Sequence, residues 1–150
     1  RIGEAANIEL HDIDWDAKTM HVAGKTGERE VPFCGRTSYV LRTYVTRHRR
    51  APLGEKHLFV TSEGKAPQAK QLSLAVRRLV KRAGVEGPKL GPHTFRHTFA
   101  HLYLLSGGDS LSLMRLLGHT TTFMTSQYTR MQSGSLKQLH ERHSPVKNIL

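Results

Sequence analysis

The pattern of apolar and polar positions changes twice along this chain. Residues 2–10 are typical of the end of a helix that stops before Asp12. Between Asp12 and Phe33 apolar residues alternate with polar ones, which predicts three short antiparallel strands with a tight turn at residues 25–28. From Thr37 onward the period becomes helical.

Glycine and proline divide the rest of the chain into helical segments, with an extended piece at residues 58–60 and a turn at 62–64. The first helix has an apolar stripe of Val40, Leu41, Tyr44 and Val45. The expected helices run from Thr37 to a stop at Pro52, from Leu72 to a stop at Gly84, over 93–106, from a cap at Asp109 or Ser110 to Gly118, and over 121–131 and 135–143. The pattern predicts a mainly helical α+β fold with a small three-stranded antiparallel sheet. Since no long linker interrupts residues 1–150, we expect one domain.

The expected helix at residues 93–106 has two distinct sides. At about 100° per residue, Phe95, Phe99 and Leu102 fall together and form the predicted core stripe. His93 and Arg96 fall on the opposite side, less than one turn apart. A guanidinium can grip two phosphate oxygens and an imidazole can donate a proton, so the pair suits a phosphate. A lone His-x-x-Arg pattern is nevertheless more often a solvated polar face.

Charge adds a candidate partner. The chain has 23 Lys and Arg against 12 Asp and Glu, with a net charge of +11 and a pI near 10.3. Such a surface attracts the phosphate backbone of a nucleic acid, although a basic protein without that function is the alternative. The basic residues cluster in two stretches, with Arg36, Arg42, Arg47, Arg49 and Arg50 in one and Arg77, Arg78, Lys81 and Arg82 in the other.

Other features exclude several classes. No apolar run approaches the roughly 18 residues that a membrane helix needs, and since no charged segment followed by an apolar one opens the chain, we expect no signal peptide. The single Cys34 excludes an internal disulfide and a zinc cage of thiolates, which fits a cytoplasmic protein. His93 and His97 have the spacing of a helical zinc pair, but residue 94 is Thr where a metalloprotease needs Glu. We therefore expect no metal and no other cofactor.

Two more residues could take part in chemistry at a phosphate. Gly118 ends a helix and lets His119 project from a turn, and Tyr128 follows nine residues later. Taken singly, such a histidine is more often a cap or a surface residue, and such a tyrosine is more often in the core or at its rim. A phenol with a pKa near 10 is a poor nucleophile unless cations hold its oxygen beside the electrophile.

Five segments in one order resemble the tyrosine recombinase family, also called phage-type integrases. Each is weakly specific alone, but their order and spacing agree with the family from Arg1 to about Tyr128. The segments are Arg1-Ile2-Gly3-Glu4 with Asp12-Ile13-Asp14, then Gly24-Lys25-Thr26-Gly27-Glu28-Arg29-Glu30-Val31-Pro32, then His93-Thr94-Phe95-Arg96-His97, then Leu116-Leu117-Gly118-His119, then Tyr128-Thr129.

The resemblance implies the fold of the DNA breaking-rejoining enzymes and a role for each matching residue. Arg1 matches the first active-site arginine, and Glu4 matches the acid that helps to orient the cluster. Lys25 matches the general acid on a mobile hairpin, which protonates the leaving 5′-oxygen. Relatives frequently have a basic residue at the position of Glu28. Because Glu28 is acidic, Lys25 is the one plausible general acid of this hairpin.

The remaining matches concern the phosphate and the nucleophile. His93 matches the histidine that assists proton transfer, and Arg96 matches the arginine that clamps the scissile phosphate. His119 matches a position, histidine or tryptophan in relatives, that hydrogen-bonds a phosphate oxygen. Tyr128 matches the nucleophile, which forms a 3′-phosphotyrosine and so makes ATP and metal unnecessary for rejoining.

The resemblance also implies partners. They are double-stranded DNA and further copies of the protein, assembled as a tetramer on DNA in the full-length enzyme, in the bacterial cytoplasm at the nucleoid. Residues 133–150 resemble a C-terminal helix and extension that docks on a neighbouring subunit, with an intramolecular cap as the equal alternative. The start at Arg1 predicts that a DNA-clamping domain and the first catalytic helices lie upstream. We then expect Arg1 to be frayed or misplaced and an apolar face to be bare, which favours self-association.

Three other functions compete with recombination. A helix-turn-helix DNA-binding module explains the charge and the helices but neither Lys25 nor Tyr128. A type IB topoisomerase shares the chemistry on a related fold, and the absence of a large clamp favours a recombinase. A metal-dependent nuclease needs clustered carboxylates, which the chain lacks.

Overall fold

A computed structural model describes residues 1–25, 27–87 and 89–119 of the chain. It divides into two compact units, Arg1–His97 and Thr98–Leu150. The helices expected at 121–131 and 135–143 lie outside the described residues. Among the helices of the described ranges, none is both long and apolar enough to cross a membrane.

The first helix, α1, spans Ile2–Asn7 and ends earlier than the sequence predicts. Ile8 leaves it with an extended backbone, and a 3-10 turn follows at Leu10–Asp12. The cause is pairing with a distant segment: the Leu58 backbone N–H donates to the Ile8 carbonyl at 2.8 Å. Because this pairing satisfies backbone groups that a continued helix would satisfy internally, the extended path replaces the predicted helical one.

Three antiparallel strands follow in the order β1-β2-β3, which confirms the predicted sheet. They are β1 (Ile13–Asp14), β2 (Thr19–Gly24) and β3 (Gly27–Pro32). Gly24 pairs with Gly27, so the tight turn lies one residue earlier than predicted. Gly27 has φ +103°, a left-handed value that favours glycine.

The core of the first unit lies where the sheet meets the helical segment after it. Leu58 is completely buried there, together with Ile8 and Ile13. Helix α2 (Gly35–Thr43) continues into a π-helical turn at Tyr44–His48. From the predicted stripe of this segment, Leu41, Tyr44 and Val45 pack on the core. Val40 is exposed, since it precedes Leu41 by one position and therefore lies about 100° away around the helix.

Helices α3 (Ala69–Arg82) and α4 (Pro92–Leu105) match the second and third predicted helices. The backbone of Gly84 turns left-handed just after α3, as the sequence predicts. Leu74 and Leu79 of α3 are exposed, and among its apolar residues Val80 is the buried one. Helix α1 packs against both β2 and α3.

The described core of the second unit is formed by the end of α4 and by α5 (Ser110–Leu117). Ala100 and Leu104 of α4 pack against Leu113 and Leu117 of α5. The Asp109 carboxylate caps α5 by accepting the N–H groups of residues 111 and 112 at 2.9 and 2.8 Å. Gly118, with φ +64°, ends the helix in the left-handed conformation, so both predicted boundaries are confirmed.

The predicted core stripe of α4 is wrong. Phe95, Phe99 and Leu102 are 56%, 48% and 54% exposed, whereas Ala100 and Leu104 are buried. The helix has apolar residues on two sides, and its period alone does not tell which side a neighbour covers. The small Ala100 lets α5 approach closely, so that side forms the contact. Self-association through an apolar face left bare by missing upstream helices stays a prediction.

Candidate active site

One buried carboxylate joins the first helix to the β-hairpin. Glu4 of α1 is only 6% exposed. Its Oε1 accepts a hydrogen bond from Arg1 Nη1 at 2.9 Å, and its Oε2 accepts one from Arg29 Nη2 at 2.7 Å. These short contacts are typical of charge-assisted hydrogen bonds. Glu4 thus contacts the Arg1 guanidinium directly, and the expectation that Arg1 is frayed or misplaced stays a prediction.

The charge of Glu4 is stabilised by its partners. Burial raises the pKa of this carboxyl, but hydrogen bonds from the Arg29 and Arg1 guanidinium groups outweigh it. The pKa of Glu4 is consequently lowered below its ordinary value. At neutral pH the carboxylate is consequently ionised and able to hold two guanidinium groups.

The loop that carries Lys25 begins beside the same carboxylate. A Cβ added to Gly24 would lie 2.6 Å from Glu4 Oε1, closer than non-bonded atoms approach. Glycine therefore lets the end of β2 lie directly on Glu4. Lys25 comes next and is exposed, so its long side chain leaves the hairpin from a fixed base.

Arg29 belongs to this cluster, although the sequence motifs alone do not mark it as a site residue. It pairs with buried Val22 across the hairpin and thus lies on the inward face of the sheet, while its neighbours Glu28 and Glu30 are exposed. An arginine at an inward position needs a buried acid as partner. The strand alternation contained that signal, but the identity of the partner depended on where α1 packs.

His93 and Arg96 lie in the first turns of α4, His93 exposed and Arg96 partly buried. The start of the helix is set by hydrogen bonds from the Thr94 hydroxyl to the Lys89 carbonyl at 3.0 Å and from the Thr94 N–H to the Gly91 carbonyl at 3.0 Å. These bonds place the pair at the amino-terminal end of α4, where backbone N–H groups and the helix dipole favour anions.

Helix α3 borders this point. A Cβ on Gly91 would lie 3.5 Å from Arg77 Nε, so the Arg77 side chain passes the residue that precedes α4. Helix α1 packs on α3 in turn. Within the first unit, α3 therefore contacts both the helix that carries Glu4 and the entry to the helix that carries His93 and Arg96.

The structure thus brings two of the predicted site segments into direct contact, Arg1 and the hairpin of Lys25. His119 belongs to the second unit, where it is partly buried and its N–H donates to the Met114 carbonyl at 3.0 Å. Tyr128 lies outside the described residues, as does the tail at 133–150.

Some cations of the basic clusters have structural partners. Arg42 stacks over the Trp15 ring with its guanidinium carbon 4.8 Å from the ring centroid. Arg49 donates to the carbonyl oxygens of Glu55 and His57 at 2.6 and 2.8 Å. The other members are exposed, namely Arg36, Arg47, Arg50, Arg77, Arg78, Lys81 and Arg82. These seven side chains are accessible to a polyanion.

A shallow pocket beside β1 and β2 has the opposite character. Its lining includes the carboxylates of Asp12, Asp14, Asp16 and Glu30, which repel a phosphate. Across the described ranges, no three His, Cys, Asp or Glu residues come together in a way that could hold a metal ion.

Comparisons with known proteins agree on one family. The model of the phage integrase family matches residues 1–134. The tyrosine recombinase XerC of Corynebacterium glutamicum is 34% identical over 146 residues, which cover 97% of this chain and 47% of that protein. The tyrosine recombinase XerD of the same species is 32% identical over 142 residues, which cover 93% of this chain and 46% of that protein. The chain spans about half the length of the curated relatives it matches.

Solved structures agree with this assignment. The XerA recombinase matches with a TM-score of 0.80 and 28% identity over 97% of this chain and 53% of that one. The XerH site-specific recombinase, bound to a palindromic difH substrate in a post-cleavage complex, matches with a TM-score of 0.74 and 25% identity. That match covers 99% of this chain and 42% of the XerH chain.

Proposed function

Because this chain belongs to the phage integrase family, we propose that it is the catalytic domain of a tyrosine-type site-specific recombinase. The observation that carries the proposal is the contact of Arg1 and the Lys25 hairpin with one buried carboxylate, Glu4. Glu4 thereby holds the Arg1 guanidinium beside the base of the hairpin that carries Lys25, which supports a phosphate site built from these two segments. We assign residues 1–150 to a single catalytic domain that includes both compact units.

The proposed reaction breaks one DNA strand and conserves its bond energy. The Tyr128 oxygen forms a bond to the scissile phosphorus as the bond from phosphorus to the 5′-oxygen breaks. The phenolic proton leaves with the assistance of His93, and Lys25 gives a proton to the departing 5′-oxygen. The product is a 3′-phosphotyrosine, which a 5′-hydroxyl of another strand attacks in the reverse sense.

Charge stabilisation supplies most of the acceleration in this scheme. The equatorial phosphate oxygens gain negative charge in the transition state, and Arg1, Arg96 and His119 would donate hydrogen bonds to them. Loss of one such preplaced donor typically costs about 10²–10³ in rate. Neither ATP nor a metal ion is required, because the phosphotyrosine keeps the energy of the broken bond.

The substrate we propose is double-stranded DNA. The net charge of +11 and the exposed cations of α2 and α3 support it, and the XerH relative was solved with its difH substrate. We further propose a tetramer on DNA in the complete enzyme, located at the nucleoid in the bacterial cytoplasm. A trans contact of residues 133–150 with a neighbouring copy is part of this proposal.

The test uses the complete gene product and a nicked suicide substrate in EDTA. We expect a covalent protein–DNA adduct that survives denaturant and is absent in Tyr128→Phe. Tyr39→Phe, which alters a tyrosine that is 72% exposed on α2, is the matched control and should retain the adduct. An adduct in Tyr128→Phe would exclude Tyr128 as the nucleophile, and cleavage only with added metal would favour a nuclease.

A type IB topoisomerase would form the same kind of adduct, so the adduct does not distinguish that activity from recombination. A plasmid with two copies of the recombination site does separate them, since a recombinase exchanges the flanking segments whereas a topoisomerase only relaxes supercoils. The family and its Xer relatives favour exchange.

A further inference from the structure

We propose that Arg29 is a positioning residue that, through Glu4, fixes the base of the hairpin and thereby the place from which Lys25 reaches the leaving 5′-oxygen. This inference rests on the proposed function. In this inference Arg29 acts through Glu4 and Lys25 and does not itself contact DNA.

The first support is the geometry of the ion pair. Arg29 Nη1 and Nη2 donate to Glu4 Oε1 and Oε2 at 3.3 and 2.7 Å, so each guanidinium nitrogen meets its own carboxylate oxygen. The two side chains are only 16% and 5% exposed. A bidentate contact of this kind fixes orientation as well as distance, which a point charge cannot do.

The second support is the position of the pair on the hairpin. Arg29 is in β3, two residues after Gly27, and Gly24 at the end of β2 lies directly on Glu4. Both strands are thus held by the same carboxylate, at the end of the hairpin from which Lys25 projects. Beyond this point, Gly24 and Gly27 pair across the turn.

The third support is an energetic argument. A buried ion pair is often no more stabilising than a well-packed apolar pair of the same size, because its desolvation offsets the Coulombic attraction. Its specific effect is on orientation. Since Glu4 also holds Arg1, the arrangement keeps the hairpin base in register with α1, which carries the first phosphate-binding cation.

A leaving-group substitution tests the link to Lys25. In DNA with a bridging 5′-sulfur at the scissile phosphate, cleavage releases a thiolate. A thiol has a pKa near 8.5 and departs without a proton from a general acid. Any defect in the delivery of Lys25 should therefore disappear with this substrate, whereas a defect in phosphate clamping should remain.

We expect Arg29→Gln in the complete gene product to lower single-turnover cleavage of ordinary DNA by about 10- to 100-fold at saturating enzyme. Cleavage of the 5′-sulfur substrate should stay within about twofold of wild type, and the Kd for DNA should be unchanged. Arg29→Lys, which keeps the charge and one hydrogen bond, should recover part of the rate on ordinary DNA. Glu30→Gln, on the exposed face of the same strand, is the matched control and should cleave like wild type.

Equal losses on the two substrates would overturn the inference, as would unchanged cleavage in both Arg29 variants or a defect confined to DNA affinity. Should Arg29→Gln fail to fold in a thermal melt, the same comparison of substrates is made with Arg29→Lys and has the same meaning. Failure of the proposed function looks different, because the wild-type protein itself would then form no adduct on either DNA.

Discussion

The α-carbon of Gly24 in β2 lies so close to Glu4 in α1 that a methyl group there would come within 2.6 Å of the Glu4 carboxylate oxygen Oε1. This approach joins the last residue before Lys25 to the carboxylate that holds Arg1 and Arg29. The hairpin and the first helix consequently form one local structure, and a substitution that displaces Glu4 itself should affect both Arg1 and the base of the Lys25 hairpin.

Gly24→Ala is expected to displace the Glu4 side chain, weaken its bonds to both arginines and lower cleavage by about tenfold or more in the proposed function. The matched control is Gly3→Ala in α1, where an added Cβ meets nothing within 4 Å. Alanine is also the better helix former there, so Gly3→Ala should keep its activity. Single-turnover cleavage of the suicide substrate measures both, and equal activity of the two variants would contradict the role of the close contact.

Low pH should reduce the free energy of unfolding of the protein through protonation of Glu4. Its pKa is lowered in the folded chain from an ordinary value of 4.5 by the guanidinium groups of Arg29 and Arg1, so the folded state favours the ionised form. This stabilisation is complete above about pH 4.5, where the unfolded chain is also ionised, and is lost as the pH falls toward 2.

The measurement is urea unfolding of wild type and Glu4→Gln between pH 2 and 7. The difference between their free energies of unfolding should shrink as the pH falls below about 4.5. Glu30→Gln, an exposed control, should show no such trend. A difference for Glu4→Gln that is the same at pH 2.5 and pH 6 would disprove this electrostatic origin.

Arg96→Lys should abolish most cleavage while the affinity for DNA changes little. A lysine keeps the positive charge but cannot form the two parallel hydrogen bonds of a guanidinium to phosphate. The expected loss is about 10²–10³ in rate, measured by single-turnover cleavage beside a gel-shift titration. Parallel losses of affinity and cleavage would indicate that Arg96 contributes to binding alone.

Leu113→Ala in α5 should destabilise the second unit by about 2–5 kcal/mol, since Leu113 is fully buried and its removal leaves a cavity. Leu111 is in the same helix but 60% exposed. Leu111→Ala should change the free energy of unfolding by no more than about 0.5 kcal/mol. Both variants replace leucine by alanine in α5, so their change in helix propensity is the same. Chemical denaturation followed by circular dichroism measures the free energy of unfolding of both variants. Similar losses would contradict the assignment of Leu113 to the core face of α5.

The sequence by itself determined the local features of this protein, which are its strands, its helix ends and its motifs. Alternation predicted the three strands, and Asp109 and Gly118 predicted both ends of α5, because backbone hydrogen bonds and caps involve residues only a few positions apart. The recombinase motifs likewise depend on residue type and order. The sequence therefore indicated the family, and the site residues that it indicates stay predictions.

Tertiary structure alone decided which of several compatible faces and partners are used. It turned Ile8 out of its helix to pair with Leu58, buried the Ala100 side of α4 in place of the Phe95 side, and placed Arg29 on Glu4. Each of these depends on a contact between segments that are distant in the chain or on different elements. A helical or strand period shows which residues share a face, but burial depends on what packs against it.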